Sequence, residues 1–551
     1  MKKGTIYLLI LAILLAFAGC AEAEDTPTEE TMRQTMDISG KYALDETGKE
    51  AVVDDGGMVT WANEGNNRLF YHIFVGSFSD SNGDGIGDLR GIINRFDYLN
   101  DGDDNSGVSL GVEGIWLSPI FTSPSYHKYD TSDYYEIDPQ FGTMADLKEL
   151  IELCHSRNVK IILDLVVNHT STGHAWFRNF CEAQKQNLVD EPYYDFYSWS
   201  EESTPGAAWY KFGGTDHYYE GNFSSQMPEL NYDSDSVRQA MVDVAKYYLD
   251  LGVDGFRFDA AKYIYYGNET ENAEFWKWYM GELRAIKPDI YSVAEVWDSD
   301  GVTYPYFAST NCFNFTTAQT NGWIAETARA GDVNVLTNYM SNYIQAIQSY
   351  NPEAMPVIFI ANHDTDRAAG FLTVASGQAK VAANLAILMP GSTFVYYGEE
   401  IGMKGSRGGA NTDANRRLAM NWGDGDTVKD PEGADYTSGQ SNGTVVEQMA
   451  DGNSLYNHYK KLIQIRKANP EIANGTYTAL QTDSKLGGFI ATYNGSSVVV
   501  LHNTSLSAVE VDISALTDLE LTALVAYAGV EGAELNGTIL TIGAQTSVVL
   551  K

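Results

Sequence analysis

Apolar positions along the chain fall into two textures. Between residues 69 and 397, short continuous apolar runs occupy 69–75, 112–119, 159–167, 253–258, 290–296, 356–361 and 392–397, with a weaker run at 312–315. Helical patterns lie between several of them. In residues 236–251, Val237, Met241, Val244 and Tyr248 share one face, and Gly252 follows as a stop signal. Continuous apolar strands alternating with helices predict a parallel sheet covered on both faces. Eight such strands predict an α/β fold, a closed (β/α)8 barrel, here over residues 61–169 and 229–470.

One interval is too long for that repeat. His169, just past the third run, and Asp259, at the end of the fourth, are 90 residues apart. A βα unit of a barrel needs roughly 30–40. Residues 170–228, full of Tyr, Trp, Gly and Ser, are therefore expected to form an irregular inserted lobe beside a cleft. The last barrel helix is expected over 454–468, stopped by Pro470. Beyond it the texture changes. The runs 489–493 and 498–502 flank Asn494-Gly495, a hairpin signal, and Asn536-Gly537 repeats it. Residues 475–551 are expected to form an antiparallel β domain.

Composition adds limits. Apolar residues make up 44% of the chain, and 36 Lys+Arg against 74 Asp+Glu leave a net charge of −38. Such a surface repels phosphate backbones, which argues against a nucleic-acid partner. Met1-Lys2-Lys3 precedes an apolar run over 6–18, too short to span a bilayer well, that ends in Phe17-Ala18-Gly19-Cys20. This resembles a bacterial lipobox, with Phe17 where Leu is usual. It implies a lipoprotein signal peptide over 1–19 and lipidation of Cys20. The protein is then exported and held by a lipid anchor at the outer face of the cell envelope or at the cell surface. Residues 20–60 are rich in Glu, Asp, Thr and Gly and read as a flexible tether. With Cys20 assigned to the lipid, at most one disulfide can form among Cys154, Cys181 and Cys312. Cys154 keeps helical spacing with Leu147, Leu150 and Ile151 and reads as a core thiol. A monomer is expected.

The chemistry begins at Phe256-Arg257-Phe258-Asp259. Strand alternation puts both Phe on one face and Arg257 with Asp259 on the other. Asp259 closes the fourth run, Glu295 follows it by 36 residues at the end of the fifth, and Asp364 follows Glu295 by 69 at the end of the seventh. In a parallel barrel the strand C-termini carry the site, so three acids reach one rim. Neighbouring carboxylates raise at least one pKa. Glycoside hydrolysis needs that arrangement: an ionised nucleophile and a carboxylic acid kept protonated. Arg257 would keep Asp259 ionised and oriented.

The segments DLVVNH (164–169), GFRFDAAK (255–262), AEVW (294–297) and FIANHD (359–364) are similar to the four signature regions of the alpha-amylase superfamily, glycoside hydrolase family 13, in order, spacing and wording. The resemblance runs from about residue 69 to the C-terminus. It implies that Asp259 is the nucleophile, Glu295 the general acid/base and Asp364 the third acid, which binds sugar hydroxyls. It implies that His169 and His363 bond the same ring and that Tyr129 is the aromatic platform beneath it, with Asp130 supporting the pocket. Ala260-Ala261-Lys262 resembles the α-1,4-acting members of the family, which implies α-1,4 over α-1,6 specificity and a place for Lys262 on the leaving-group side. Residues 226–231, QMPELN, resemble the motif of the group between oligo-1,6-glucosidases and neopullulanases. The implied activity is that of an α-amylase on starch or maltooligosaccharides. The alternatives are neopullulanase, oligo-1,6-glucosidase or transglycosylase action, and a non-catalytic surface glucan-binding lipoprotein.

An acidic loop offers Asp80, Asn82, Asp84, the Ile86 carbonyl and Asp88 as oxygen ligands, with Gly85 at the sixth position. That is the first part of an EF-hand loop without its final Glu. A structural Ca²⁺ is expected there, as family members carry a similar loop. The resemblance also makes Asn168 a candidate ligand of a second Ca²⁺.

Overall fold

The computed structural model describes residues 65–551, apart from 105, 107, 204–207, 408–412, 438–440, 481, 483 and 484. The leader, Cys20 and the tether lie outside the described residues. Eight parallel strands, β1 (Leu69–Ile73), β2 (Gly114–Leu117), β3 (Lys160–Val166), β4 (Gly255–Asp259), β5 (Tyr291–Ala294), β6 (Asn311–Cys312), β7 (Val357–Phe359) and β8 (Ser392–Tyr396), pair in the order β6-β5-β4-β3-β2-β1-β8-β7. A parallel bridge between Phe313 and Val357 joins the two ends of that series. The strands thus run round a barrel in chain order. They are shorter than the apolar runs because flanking residues such as Val75, Val296 and Ala361 are buried beyond the ladder.

Alternation sorts the side chains. Phe258 packs outward on Trp276 and Tyr279 at 4.8 and 5.8 Å between ring centroids. Inside the barrel, Phe70, Trp116, Ile162, Tyr291, Val293 and Phe394 form a separate apolar plug. Above it the inward positions turn polar, with His72, Asp164 and Arg257 all buried. Those buried polar groups are what the plug supports.

The helix Asp235–Asp250 buries Val237, Met241, Val244 and Tyr248 against the barrel. Gly252 follows with φ +106°, a conformation that favours glycine. The inserted lobe is more regular than its sequence predicts. It holds the helix Ala175–Gln186 and a three-stranded sheet of Trp199–Ser200, Tyr218–Glu220 and Trp209–Lys211. Strands of two or three residues are too short to show a period, and Phe177, Phe180, Tyr197 and Tyr219 supply the core. Bridges His169–Glu229 and Tyr197–Leu230 stitch the lobe to the rim.

Pro470 does not simply end the helix Leu455–Ala468. It opens a second one, Pro470–Asn474, at whose first turn the missing N–H costs nothing. Beyond lie a five-stranded and a three-stranded antiparallel sheet. Asn494 and Gly495, with φ +49° and +80°, make the tight turn of the hairpin between Leu486–Tyr493 and Ser496–Asn503. Cys154, Cys181 and Cys312 are all free.

Candidate active site

The strand register brings the charges together. Asp164 on β3 stands directly beside Arg257 on β4. The Glu295 amide, one residue past β5, donates to the Phe258 carbonyl at 2.9 Å, which sets Glu295 beside Asp259. The Arg257 side chain is fully buried. Its Nη1 donates to Asp164 at 2.8 and 3.0 Å and to Asp259 Oδ1 at 2.7 Å, and its Nη2 reaches Glu295 Oε2 at 2.9 Å. One guanidinium therefore holds three carboxylates. Ala260 takes φ +49°, in the left-handed region that alanine rarely adopts. The turn aims its N–H at Glu295 Oε2, 3.2 Å away.

Asp364 is held from two sides, by Arg417 Nη2 at 2.7 Å and His363 Nε2 at 3.0 Å. His363 Nε2 also meets Tyr129 Oη at 2.5 Å, and the Tyr129 hydroxyl donates to Asp164 Oδ2 at 3.0 Å. An Nε2–H tautomer of His363 satisfies this chain, leaving Nδ1 without a partner. His169 is buried next to Asn168, and its Nε2 has no partner within the protein.

A cavity of about 620 Å³ is lined by Tyr129, His169, Asp259, Lys262, Glu295, Trp297, Asp364 and Arg417 among others. Three expected site residues, His363, Arg257 and Asp130, lie off this lining, and His363 is fully buried behind Asp364. Arg257 sits beneath the acids. Asp130 faces away, accepting from Ser123 Oγ at 2.7 Å and from Ser125 Oγ, so it props the loop that carries Tyr129. Lys262 Nζ donates to the Trp297 carbonyl at 2.8 Å and to Asp298 at 2.9 Å.

Electrostatics separates the acids. Burial pushes Glu295 up; Arg257 opposes it, but Asp259 and Asp364 add to it, and the carboxyl ends at about 7. Burial also raises Asp364, yet His363 and Arg417 outweigh it and hold that carboxyl well below the usual range. Burial raises Asp164 despite the guanidinium beside it. Burial lowers His169 and His363, which favours neutral imidazoles.

Replacing Arg257 with Leu would leave Asp164, Asp259 and Glu295 buried without their cation. The expected loss is about 3–5 kcal/mol of stability, the cost of breaking a buried ion pair from one side. Denaturant unfolding of the Arg257→Leu variant measures it.

Sequence reasoning did not find Arg417, Tyr126 and His127. Arg417 lies 53 residues past Asp364 in a loop without periodicity, and donates to the Tyr126 hydroxyl at 3.2 Å. Its one visible signal was positive charge in an acidic chain.

The acidic loop turns its short side chains back on itself. Asp80 Oδ1 accepts from the Asn82 and Gly83 amides at 3.0 and 2.8 Å, and Oδ2 from Gly85 at 2.7 Å. Asn82 and Asp84 accept from the Asp84 and Ile86 amides at 2.9 and 2.8 Å. Asp88 instead caps the helix Leu89–Asn94 through the Gly91 amide at 2.6 Å. Among the described residues no three His, Cys, Asp or Glu side chains gather as a metal-ligand set. Asp88 Oδ2 also faces the loop, accepting from the Ser81 amide and hydroxyl at 3.1 and 2.9 Å. Asp80, Asn82, Asp84, Asp88 and the Ile86 carbonyl are hard donors of the kind a calcium ion takes. At Asn168, Oδ1 is buried and has no partner, beside a Glu229 carboxyl that burial and Glu220 push up to about 8. An orphaned oxygen next to a buried acid fits a cation.

A barrel whose rim pairs an acid inclined to hold its proton with a carboxylate on the same guanidinium is a glycosidase scaffold. The chain belongs to the alpha-amylase family: the family described as "Alpha amylase, catalytic domain" matches residues 72–475. It is 36% identical over 445 residues to "Alpha-amylase 3" of Dictyoglomus thermophilum, covering 79% of this chain and 84% of that one. It is 31% identical over 451 residues to a "4-alpha-glucanotransferase" of Thermotoga maritima, covering 79% and 95%. Among solved structures, "Eubacterium rectale Amy13B" superposes with a TM-score of 0.83 at 35% identity, over 90% of this chain and 97% of that one. The protein is an enzyme of this family, with an α-glucan as the class of substrate.

Proposed function

We propose that the protein hydrolyses α-1,4-glucosidic bonds in starch and maltooligosaccharides, with retention of configuration. The observation that carries this reading is the single guanidinium shared by Asp259 and Glu295. A bridge of that kind favours the short separation, about 5–5.5 Å, of a retaining pair. In the first step Asp259 attacks C1 of the glucose in the cavity while Glu295 protonates the departing glycosidic oxygen. In the second, Glu295 takes a proton from water, which attacks C1 and breaks the ester to Asp259. Asp364, backed by neutral His363, and neutral His169 bond the ring hydroxyls. These bonds strengthen as the ring flattens toward the oxocarbenium ion. Tyr129 packs against the ring and fixes Asp164 behind it.

The product profile on soluble starch, pullulan and panose tests the reading. Release of maltooligosaccharides from starch with little action on panose is expected; cleavage of panose alone would replace it with an α-1,6-glucosidase. A second reading, transfer of the glycosyl group to another sugar, draws support from the similarity to a 4-alpha-glucanotransferase. A silent glucan-binding protein is disfavoured because all three carboxylates are present.

We further propose that calcium binds the loop at Asp80, Asn82, Asp84, Asp88 and the Ile86 carbonyl, and a second ion at Asn168 Oδ1 beside Glu229. Each ion would tie a loop to the barrel and take no part in bond cleavage. Chelation is expected to lower the melting temperature by several degrees, as loss of any ligand of the folded state does; calorimetry with and without chelator reads it. Export with a lipid on Cys20 remains the proposed location.

A further inference from the structure

Arg417 holds Asp364 from a loop, yet it has to keep its place as closely as a strand residue does. The backbone of that loop shows what fixes it. The carbonyls of residues 416, 417 and 418 each accept from a buried side chain. The Arg416 carbonyl takes Arg367 Nε at 2.9 Å and the Tyr396 hydroxyl at 3.1 Å. The Arg417 carbonyl takes the Ser77 hydroxyl at 2.7 Å, and the Leu418 carbonyl takes the Tyr397 hydroxyl at 2.5 Å. Ser77, Arg367, Tyr396 and Tyr397 are all buried.

These donors come from separate parts of the barrel rim. Ser77 ends the short helical turn after β1, Tyr396 is the last residue of β8 with Tyr397 next to it, and Arg367 follows Asp364 in the same segment. Arg367 is held in turn. Its Nη1 donates to the Tyr397 carbonyl at 2.6 Å and its amide to the Gly405 carbonyl at 2.8 Å. Its guanidinium carbon lies 4.4 and 4.5 Å from the centroids of the Tyr396 and Tyr397 rings. A buried guanidinium costs free energy unless its surroundings require it. Here it ties the segment that carries Asp364 to the residue before Arg417. Arg417 closes the same tie from the other side, through Asp364 Oδ1 at 2.7 Å and the His363 carbonyl at 3.2 Å. Any carbonyl would satisfy a buried tyrosine hydroxyl. These hydroxyls meet the residues on either side of Arg417.

We propose that Ser77, Arg367, Tyr396 and Tyr397 are positioning residues, which clasp the backbone at Arg417 and so hold its guanidinium on Asp364. The proposal rests on the hydrolase reading above. None of the four lines the cavity, so their effect on rate passes through Arg417. A shift of about 1 Å in a group that acts in the transition state can cost about 10²-fold in rate. The bonds from Asp364 to the ring hydroxyls strengthen in the transition state, so the loss falls on kcat and not on KM.

The test measures the initial rate at which maltoheptaose is consumed, well below the melting temperature, which counts hydrolysis and transfer alike. The double variant Tyr396→Phe, Tyr397→Phe deletes two of the donors and keeps both rings around Arg367. Its kcat is expected to fall about tenfold with KM within about twofold, the scale of two lost hydrogen bonds. Ser77→Ala removes the bond to the Arg417 carbonyl alone and should lower kcat about threefold. It reads the clasp even where the phenylalanine pair does not fold. A purely structural role would lower the melting temperature and leave kcat of the folded enzyme unchanged, and that result overturns the proposal. The second arm is a double-mutant cycle. In an Arg417→Ala background the phenylalanine pair should cost less than about twofold, because the side chain it positions is gone. The full tenfold loss in that background overturns the proposal. Wild-type protein that consumes no maltoheptaose overturns the hydrolase reading instead. The clasp is then read from a crystal structure of the phenylalanine pair. Arg417 displaced from Asp364 supports it, and Arg417 still within hydrogen-bond distance of Asp364 overturns it.

Discussion

Asp259→Asn is expected to lower kcat on soluble starch by about 10⁴-fold or more, near 5.5 kcal/mol of transition-state stabilisation. The amide keeps the volume of the carboxylate but cannot form the glycosyl ester. The folded state should survive. Arg257 still has Asp164 at 2.8 Å and Glu295 at 2.9 Å, so the buried cation is not orphaned. Melting is expected to stay cooperative and within about 5 °C of the parent. Two readouts separate loss of a nucleophile from loss of structure. Maltoheptaose should still bind Asp259→Asn. In Asp259→Ala, azide should restore turnover of an activated aryl α-glycoside, because the small anion enters the space left by the carboxylate. Azide attacks C1 from that face and displaces the phenolate, giving a β-glycosyl azide. An unfolded Asp259→Asn, or a folded one with more than a tenth of parental activity, would sink the assignment.

The barrel was legible because its strands are buried on both faces. Such strands read as continuous apolar runs, and all eight are found where the runs stand. Where the runs misled was at their ends. Val75 and Val296 are apolar because they are buried, not because they belong to the ladder. Asp259, Glu295 and Asp364 were legible for a related reason: an acid at the end of an apolar run conflicts with burial unless it has work to do. Arg417 escaped that logic. It holds Asp364 from a loop, where a charged residue conflicts with nothing. Asp130 shows what spacing leaves open: it stands beside Tyr129 in a pattern that carries chemistry, but its hydrogen bonds go to Ser123 and Ser125, and spacing alone does not tell which way a carboxylate points. The inserted lobe was placed by its length, while its sheet was hidden by strands too short to show alternation.

The second large effect concerns Glu295. Glu295→Gln is expected to lower kcat/KM on starch by about 10³-fold, within the range for loss of a general acid. The loss should be far smaller on a 4-nitrophenyl glycoside, whose leaving oxygen needs no proton. The pH profile carries more information. Glu295 must be protonated when the glycosidic bond breaks, and its carboxyl is pushed up to about 7. Above that pH the competent form is lost tenfold per unit, so kcat/KM on starch should fall along an alkaline limb near pH 7. Glutamine does not ionise, and the limb should vanish in Glu295→Gln. The neighbours set where the limb lies. Burial is fixed by the barrel, but part of the upward shift comes from the negative charges of Asp259 and Asp364. Asp364→Asn removes one of them while leaving Arg257 in contact with Glu295. The limb should then move to lower pH, along with the drop in rate from the lost hydroxyl contacts. A limb that stays in place in Asp364→Asn, or persists in Glu295→Gln, would mean that some other group titrates there.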